Sequence, residues 1–426
     1  MIGPGFERPA GPAVNATAEV APLLDALRSF WPDPVTIELA GSGQRHRSDS
    51  TEFIVVPNAR RPAMLLPAES RLAAASAATR WGSGSSAAGR FKQWGLVTAL
   101  RLGLADTFFR DRLVVTPLRP AEAAGMVPGA ADLAGYLSTA IGCPVLLAVR
   151  TGSLRANRKP VLQVLGHDGT VLAFVKVGHD PLTRDLVRSE AASLVAVHEA
   201  KLSTVVAPVP LFIGDWQGLE LLVLTPLPLA RRHPRQTARL PVKALREVSG
   251  IGADRAVLRE APFWSRLKAT STGLGPDTRE ALFSVIGELE SRHGDTELAL
   301  GGWHGDWTPW NMQNRDGHVL LWDWERFTTG APVGFDALHY RLNDLRLIRG
   351  LPMTEAVAGL LSGAPDLLRP LGVDADRASL LAMLYLLELG VRYLHDGQTP
   401  SGGNVRLHGT GLLGELNTAL AERRTA

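Results

Sequence analysis

The sequence has almost no cysteine and no long hydrophobic run. Cys143 is the one cysteine among 426 residues, so no disulfide can form within the chain. No stretch of about 18 uncharged apolar residues is present, and a helix needs about that length to cross a bilayer. Met1 to Ala13 is rich in Gly and Pro and lacks the basic head and apolar core of a secretory signal. We therefore expect a cytoplasmic protein.

A strong excess of charge is also missing. The chain carries 45 basic and 42 acidic residues, which gives a formal net charge of +3. So small a charge predicts no electrostatic attraction to nucleic acid or to an anionic membrane, and we expect neither as a partner. The apolar fraction of 45% excludes a disordered chain and is enough for the cores of two or three domains.

The pattern along the chain predicts three domains. The first part alternates short β-like runs with helical stretches, which indicates a small α+β domain whose role the sequence does not specify. A stretch rich in Ala, Gly and Pro at Pro120 to Gly129 is the candidate boundary. We predict an N-terminal domain at 1–125, a small lobe at 126–228 and a large helical lobe at 229–426.

The pattern after this boundary predicts an antiparallel sheet with one helix, followed by a mainly helical region. Asp168 and Gly169 lie between two apolar runs, which is a strong hairpin signal. The fold class is therefore predicted to be α+β and bilobal, with the sheet in the small lobe. The predicted strands are 145–151, 161–165, 171–177, 205–213 and 219–224; the predicted helices are 182–200, 277–293, 353–361, 377–394 and 412–424.

Lysine is scarce, with six in the chain, so a lysine inside an apolar strand needs an explanation. Lys176 lies in the run Leu172 to Val177, where burial of an unpaired ammonium would cost several kcal/mol. Glu190 falls on the apolar stripe of the next helix, four residues from Leu186 and from Leu194. We predict that Lys176 and Glu190 form an ion pair. The alternative is that both side chains face water.

Three polar residues flank a predicted β-ribbon near the centre of the large lobe. Asp306, Asn311 and Asp323 flank a ribbon of two predicted strands, 311–313 and 319–322, with an Asp-Gly turn at Asp316 and Gly317 between the strands. Because the two ends of a hairpin emerge together, these side chains should converge. The alternative is a hairpin with ordinary surface polar residues.

Phosphoryl transfer requires such a cluster. A carboxylate orients and deprotonates the attacking hydroxyl, and oxygen ligands hold magnesium across the phosphates. Asp306 suits the first role, and Asn311 and Asp323 suit the second. Trp307 and Trp310 are interpreted as residues that pack the loop, and contact with the substrate is the alternative.

The run H-G-D-x-x-x-x-N with a downstream D-W-E resembles the catalytic signature of aminoglycoside phosphotransferases and choline kinases, whose fold is similar to that of protein kinases. The resemblance implies that Asp306 is the base, that Asn311 and Asp323 bind magnesium, and that His304 steadies the catalytic turn. It also implies that Asp336 bonds the backbone of the catalytic loop. The resemblance further implies ATP as the co-substrate and magnesium as the metal.

Two positions depart from the family pattern. Trp307-Thr308 stands where the family often has Leu-His, and Trp310 stands where it often has Gly. Neither change removes a group that the transfer requires, but both alter the shape expected for the acceptor pocket.

The resemblance also locates the nucleotide. It places a phosphate-binding loop at Arg150 to Lys159, where backbone N–H groups of Gly152 and Ser153 would cradle phosphate. An ordinary hairpin loop is the alternative. Adenine is expected to meet backbone groups at Leu224 to Leu227, which include Thr225. The pattern G-x-x-x-x-G-K-[ST] does not occur, and the Gly/Ser run at 82–86 is interpreted as a linker.

The sequence therefore favours an enzyme that moves the γ-phosphoryl group of ATP to a hydroxyl of a small molecule, such as a sugar, amino sugar or amino alcohol. One alternative is a catalytically inactive kinase-like protein that binds nucleotide or acts as a scaffold. A protein kinase is disfavoured, because recognisable D-F-G and A-P-E elements are missing.

Overall fold

The computed structural model describes most of the chain as two compact units. The first unit comprises residues 1–153, 162–171 and 216–219, and the second comprises 154–161, 172–215 and 220–426. The residues described are 27–28, 30–31, 35–44, 46–81, 87–117, 132–150, 161–229, 240–398 and 403–425.

The first unit contains six strands in the order β1-β4-β2-β3-β5-β6. Four helices whose bounds lie among the described residues accompany them, and the alanine-rich α1 places small side chains such as Ala74 and Ala77 against Ile54 and Leu66 in one apolar core. Alanine suits this helix, since it favours helix and permits close approach to a sheet. The strands are β1 (Thr36–Gly41), β2 (Thr51–Val56), β3 (Met64–Pro67), β4 (Asp111–Thr116), β5 (Leu146–Arg150) and β6 (Val161–Leu165); the helices are α1 (Arg71–Trp81), α2 (Ala87–Leu102), α3 (Ala105–Phe108) and α4 (Leu133–Ile141).

The first unit extends past residue 125. Strand β3 pairs antiparallel with β5, with Met64 opposite Arg150 and Leu65 opposite Val149. Strand β5 therefore joins the N-terminal strands, although the sequence pattern grouped it with the following ones. The domain limits at 125 and 228 stay predictions, and limited proteolysis would test them.

The second unit combines three small groups of strands. One runs β7-β10-β9, a second runs β11-β12-β15, and the third runs β13-β14-β8, in which β8 and β14 are parallel. In the first group Leu222 of β10 lies opposite Lys176 of β7. The strands are β7 (Val171–Gly178), β8 (Val205–Val206), β9 (Pro210–Trp216), β10 (Leu219–Leu224), β11 (Asp254–Val257), β12 (Glu297–Trp303), β13 (Met312–Arg315), β14 (His318–Leu321) and β15 (Thr328–Pro332).

One predicted strand is wrong. The structure divides 205–213 into β8 and β9, and the break contains Pro208 and is followed by Pro210. Proline has no N–H to donate to a neighbouring strand, which explains the interruption.

Most of the second unit is helical and surrounds one core. Helix α11 is apolar on nearly every side and is buried along most of its length, as expected for a central helix. The helices are α5 (Pro181–Glu199), α6 (Val242–Ser249), α7 (Pro262–Thr272), α8 (Pro276–His293), α9 (Phe335–Asn343), α10 (Met353–Leu368), α11 (Ala375–Asp396) and α12 (Gly403–Thr425).

The element order confirms the α+β fold class expected from the sequence. Antiparallel strands with one helix, α5, precede a mainly helical region that contains the β13–β14 hairpin, which is the arrangement of a kinase-like fold. No helix among the described residues is long and apolar enough to cross a lipid bilayer.

Candidate active site

The β13–β14 hairpin brings two loops to the same end of a ribbon. Its turn is formed by Asp316 and Gly317, both with positive φ, at 50° and 82°. At the open end the backbone N–H of Trp322 donates to the carbonyl of Asn311 at 3.0 Å. The hairpin expected from the Asp-Gly signal is confirmed, with strand ends shifted by one or two residues.

The loop before β13 holds the carboxylate of Asp306 from two sides. The side-chain amide of Asn311 donates to Oδ2 of Asp306 at 2.8 Å and to its backbone carbonyl at 3.0 Å. Oδ1 of Asp306 lies 3.2 Å from Nε2 of His339. Each oxygen of the candidate base thus has a fixed partner, and the Asp306 side chain stays 36% exposed to meet a substrate.

Asp336 secures the backbone of the same loop, as the resemblance implied. Its two oxygens accept the backbone N–H groups of His304 at 2.8 Å and of Gly305 at 3.2 Å. Burial raises the pKa of Asp336 to about 7, while these two hydrogen bonds work in the opposite direction. Helix α9, on which Asp336 lies in the first turn, therefore fixes the start of the loop before β13.

His304 is a buried structural residue of the loop. Burial lowers the pKa of His304 to about 4, so the ring is neutral at pH 7 and has one donor and one acceptor. Nδ1 accepts the backbone N–H of Asp306 at 3.2 Å, and Nε2 donates to the carbonyl of Trp322 at 3.2 Å. His304 thereby connects the loop before β13 to the residue after β14.

Position 305 requires glycine, because the backbone of another segment lies close to it. Its φ is +80°, and a Cβ at this position would lie 2.6 Å from the backbone oxygen of Arg326. The carbonyl of Gly305 accepts a hydrogen bond from Arg392 at 2.7 Å. The turn that presents Asp306 would have to shift to accommodate any other residue.

Lys176 forms the ion pair expected from the sequence and a second one. Its Nζ lies 2.5 Å from Oε2 of Glu190 and 2.5 Å from Oδ1 of Asp323. Glu190 is fully buried, and its other oxygen accepts the backbone N–H of Trp324 at 3.3 Å. The lysine therefore links β7, α5 and the segment that follows β14.

Negative charge exceeds positive charge around this lysine. Carboxylate oxygens of Glu190, Asp323 and Glu325 lie within 4.8 Å of one another. Burial opposes charge on Lys176, yet the three carboxylates outweigh it and raise its pKa above the ordinary value. Burial raises the pKa of Glu190, with Lys176 acting against the rise. Oxygen donors with an excess of negative charge fit a hard divalent cation such as Mg²⁺.

The sequence reasoning did not assign roles to several residues of the site. Glu325 was visible as the last residue of D-W-E, and His339 follows Asp336 by three positions, so both share one face of α9. Arg392 and Tyr385 carried no local signal, because α11 brings them to the site from about 80 residues downstream.

The two tryptophans of the loop behave differently. Trp307 is fully buried and directs its ring N–H toward the sulfur of Met312 at 3.2 Å, so it packs the loop as expected. Trp310 is 45% exposed, and the expectation that it packs the loop is wrong. It lies next to Asn311 and presents an aromatic surface to solvent.

The residues expected to bind nucleotide are only partly covered by the structure. Gly152 and Ser153 lie outside the described residues. The backbone N–H of Thr225 donates to the carbonyl of Val209 at 2.9 Å, and its hydroxyl accepts the N–H of Val209 at 2.8 Å. Leu227 is buried. The nucleotide-binding roles of these residues stay predictions.

Comparison with known proteins yields distant structural likenesses. No family model and no curated protein matches the chain. The chain is similar in structure to an aminoglycoside phosphotransferase APH(4)-Ia mutant in complex with ADP and hygromycin B, at 15% identity and a TM-score of 0.46, over 66% of this chain and 98% of that one. It is also similar to the amicoumacin kinase hAmiN, at 11% identity and a TM-score of 0.41, over 65% of this chain and 88% of that one. A third similar structure is a streptomycin–ATP complex of APH(2")-IIa, at 13% identity and a TM-score of 0.41, over 65% of this chain and 93% of that one.

The fold class rests on the chain itself rather than on these scores. A lysine from β7 pairs with a glutamate from α5, and an H-G-D loop and a D-W-E segment flank the β13–β14 hairpin. These features together define a kinase-like fold.

Proposed function

We propose that the protein is an ATP- and magnesium-dependent phosphotransferase that acts on a hydroxyl of a small molecule. The observation that carries this proposal is the β13–β14 hairpin, which supports a fixed carboxylate, Asp306, before its first strand and the Lys176-paired Asp323 after its second. Phosphoryl transfer combines these two parts, a base for the nucleophile and a charged cradle for the phosphates.

The chain's own residues divide the work. Asp306 accepts the proton of the acceptor hydroxyl. Its carboxylate is already oriented by hydrogen bonds, so the reaction does not require it to reorient. Lys176, kept in place by Glu190, directs its ammonium at the phosphates of ATP. Asp323 and Asn311, with Glu325 beside them, would hold magnesium. When bound, the metal supplies positive charge to the phosphate oxygens.

The acceptor belongs to the class of sugars, amino sugars or amino alcohols. This assignment follows from the resemblance of the H-G-D and D-W-E segments to small-molecule kinases. The exposed ring of Trp310 supports it, because an aromatic surface in the loop that carries the base suits the apolar face of a sugar ring. We also propose a cytoplasmic location, since the chain cannot form an internal disulfide.

A screen of ATP consumption against a panel of hydroxylated metabolites tests the proposal. Wild type and Asp306→Asn are assayed in parallel at saturating MgATP. We expect at least one acceptor to stimulate ADP release by wild type and not by the variant. ATP binding without turnover on any acceptor would instead indicate the inactive nucleotide-binding protein.

A further inference from the structure

The candidate base has a partner that lies outside the signature motif. Nε2 of His339, on α9, lies 3.2 Å from Oδ1 of Asp306. Nδ1 of the same ring lies 2.9 Å from the hydroxyl of Tyr385, on α11. His339 is 2% exposed and Tyr385 is fully buried, so the line Tyr385–His339–Asp306 runs from the core to the site.

Hydrogen-bond chemistry fixes the direction of this line. An ionised carboxylate can only accept, so Nε2 of His339 must carry the proton that faces Asp306. Burial and the nearby Arg392 both disfavour a second proton on the ring and lower the pKa of His339. Nδ1 is then an acceptor, and the hydroxyl of Tyr385 must donate to it. Burial raises the pKa of Tyr385 well above its usual value and keeps that hydroxyl protonated.

Packing keeps the line in place. The ring of Tyr385 meets His339 edge-on at 6.0 Å between centroids and meets Phe335 in the same manner at 5.7 Å. Phe335 and Tyr385 belong to the apolar core of the second unit, where side chains have little room to change rotamer.

We propose that His339 and Tyr385 are positioning residues that hold the Asp306 carboxylate through a single imidazole tautomer. The inference rests on the proposed function for its catalytic consequence. His339 restrains Oδ1 while Asn311 restrains Oδ2, so rotation of the carboxylate about its Cβ–Cγ bond is blocked. The acceptor hydroxyl must then meet one of the lone pairs that remain on this restrained carboxylate. Neither His339 nor Tyr385 touches that hydroxyl.

A matched pair of substitutions separates positioning from packing. The amide nitrogen of Gln can reach the place of Nε2, whereas that of Asn reaches only the place of Nδ1. We expect His339→Gln to keep kcat within about 3-fold of wild type and His339→Asn to lower it roughly 10- to 100-fold, the value of a hydrogen bond to a charged group. KM for MgATP should not change in either variant. A role in packing alone would lower thermal stability in both variants and leave their kcat values alike.

Tyr385→Phe tests the outer bond. It keeps the ring and removes the hydroxyl that donates to Nδ1 of His339, so we expect kcat to fall about 3- to 10-fold. Unchanged kcat in this variant would contradict the proposed role of Tyr385.

NMR of the intact protein labelled with ¹⁵N-histidine gives a readout that needs no substrate. The spectrum is recorded at pH 7.5, and the His339 signals are assigned by their loss in His339→Gln. We expect a neutral ring protonated at Nε2, and Tyr385→Phe should shift its Nδ1 signal. A ring protonated at Nδ1, or at both nitrogens, would overturn the inference.

The two readouts also separate this inference from the proposed function. The activity assay follows ADP release from MgATP, with water as the acceptor and then with the metabolite panel. If wild type turns over nothing, the proposed function fails, and the NMR spectrum still decides whether the tautomer is fixed. If wild type is active and the Asn and Gln variants share one kcat, the inference alone fails.

Discussion

Nζ of Lys176 lies 2.5 Å from Oδ1 of Asp323, a residue 147 positions further along the chain. The contact is an ion pair that connects β7 to the segment after the β13–β14 hairpin. Because the same ammonium also lies 2.5 Å from Glu190, loss of Lys176 leaves two carboxylates without their cation, whereas loss of either carboxylate leaves the other one paired.

Replacement of Lys176 should damage both stability and function. Lys176→Met leaves Glu190 fully buried without its cation, and breaking a buried pair costs about 3–5 kcal/mol. Urea unfolding measures the loss of stability, and nucleotide titration should show weaker ATP binding. Lys243→Met, at an exposed lysine of α6, is the matched control and should leave both unchanged. Equal unfolding free energies for Lys176→Met and wild type would show that the pair does not stabilise the fold.

Asp306→Asn should separate turnover from binding. The amide keeps the size of the side chain but cannot accept a proton, so we expect kcat to fall by roughly 10² to 10⁴-fold, as for loss of a general base. Affinity for MgATP should survive. Steady-state kinetics with an active acceptor and isothermal titration with a non-hydrolysable ATP analogue measure the two quantities. Normal turnover with the true acceptor would remove Asp306 from the role of base.

Variants of the proposed metal ligands should respond to magnesium. Asp323→Asn removes a negative charge from the site, so the magnesium concentration that gives half-maximal activity should rise. Asn311→Ala should show a smaller rise, because it removes a neutral ligand. High magnesium should partly rescue both variants and leave Asp306→Asn impaired. An identical response of all three variants would contradict the division of roles.

Glu325→Gln tests whether the carboxylate cluster extends beyond the residues implied by the motif resemblance. Its oxygen belongs to the group that lies within 4.8 Å, so loss of its charge should weaken magnesium binding and leave kcat at saturating metal nearly unchanged. Glu355→Gln, at an exposed glutamate of α10, is the control. An unaltered magnesium dependence would confine Glu325 to a structural role.

The contribution of His304 to stability should fall when the pH drops from 7.5 to 5. The pKa of His304 is lowered from 6.5 to about 4 by burial, so below pH 6.5 the unfolded chain takes up a proton that the folded chain refuses. The loss amounts to about 2 kcal/mol at pH 5, and the buried His339 acts in the same direction. Burial raises the pKa of Asp336 to about 7, so protonation of this carboxyl offsets the loss in the wild type. The measurement is therefore the difference in urea unfolding free energy between wild type and His304→Gln, which should shrink as the pH falls from 7.5 to 5; a difference that does not change with pH would contradict the prediction.

Local sequence signals predicted the parts of the site that are close in sequence. The turn at Asp316 and Gly317 determines the hairpin, so the approach of its two ends follows from a few neighbouring residues. The Lys176–Glu190 pair was predictable because burial of either charge without the other would strongly destabilise the fold. Each of these two predictions depended on interactions within one secondary-structure element or between two consecutive ones.

Contacts that depend on the packing of helices were not predictable. His339 meets Asp306 only because α9 packs beside the catalytic loop, and Tyr385 joins them from α11. The strands β11, β12 and β15 were missed as well, since they are short and lie among helices. The predicted packing role of Trp310 failed for a related reason, because hydrophobic character alone does not specify which of two nearby tryptophans is buried.

Strand β12 leads directly into the catalytic loop, and it contains two adjacent glycines that have no room for a side chain. A Cβ on Gly301 would lie 1.8 Å from the carbonyl oxygen of Ser249, and one on Gly302 would lie 2.4 Å from that of Val248. Any substitution must push β12 away from α6 and carry His304 with it. In a mutational scan these two positions should tolerate as little change as Asp306, although neither has a side chain that could take part in chemistry. Intolerance to substitution in this protein would therefore report on backbone clearance as well as on catalysis.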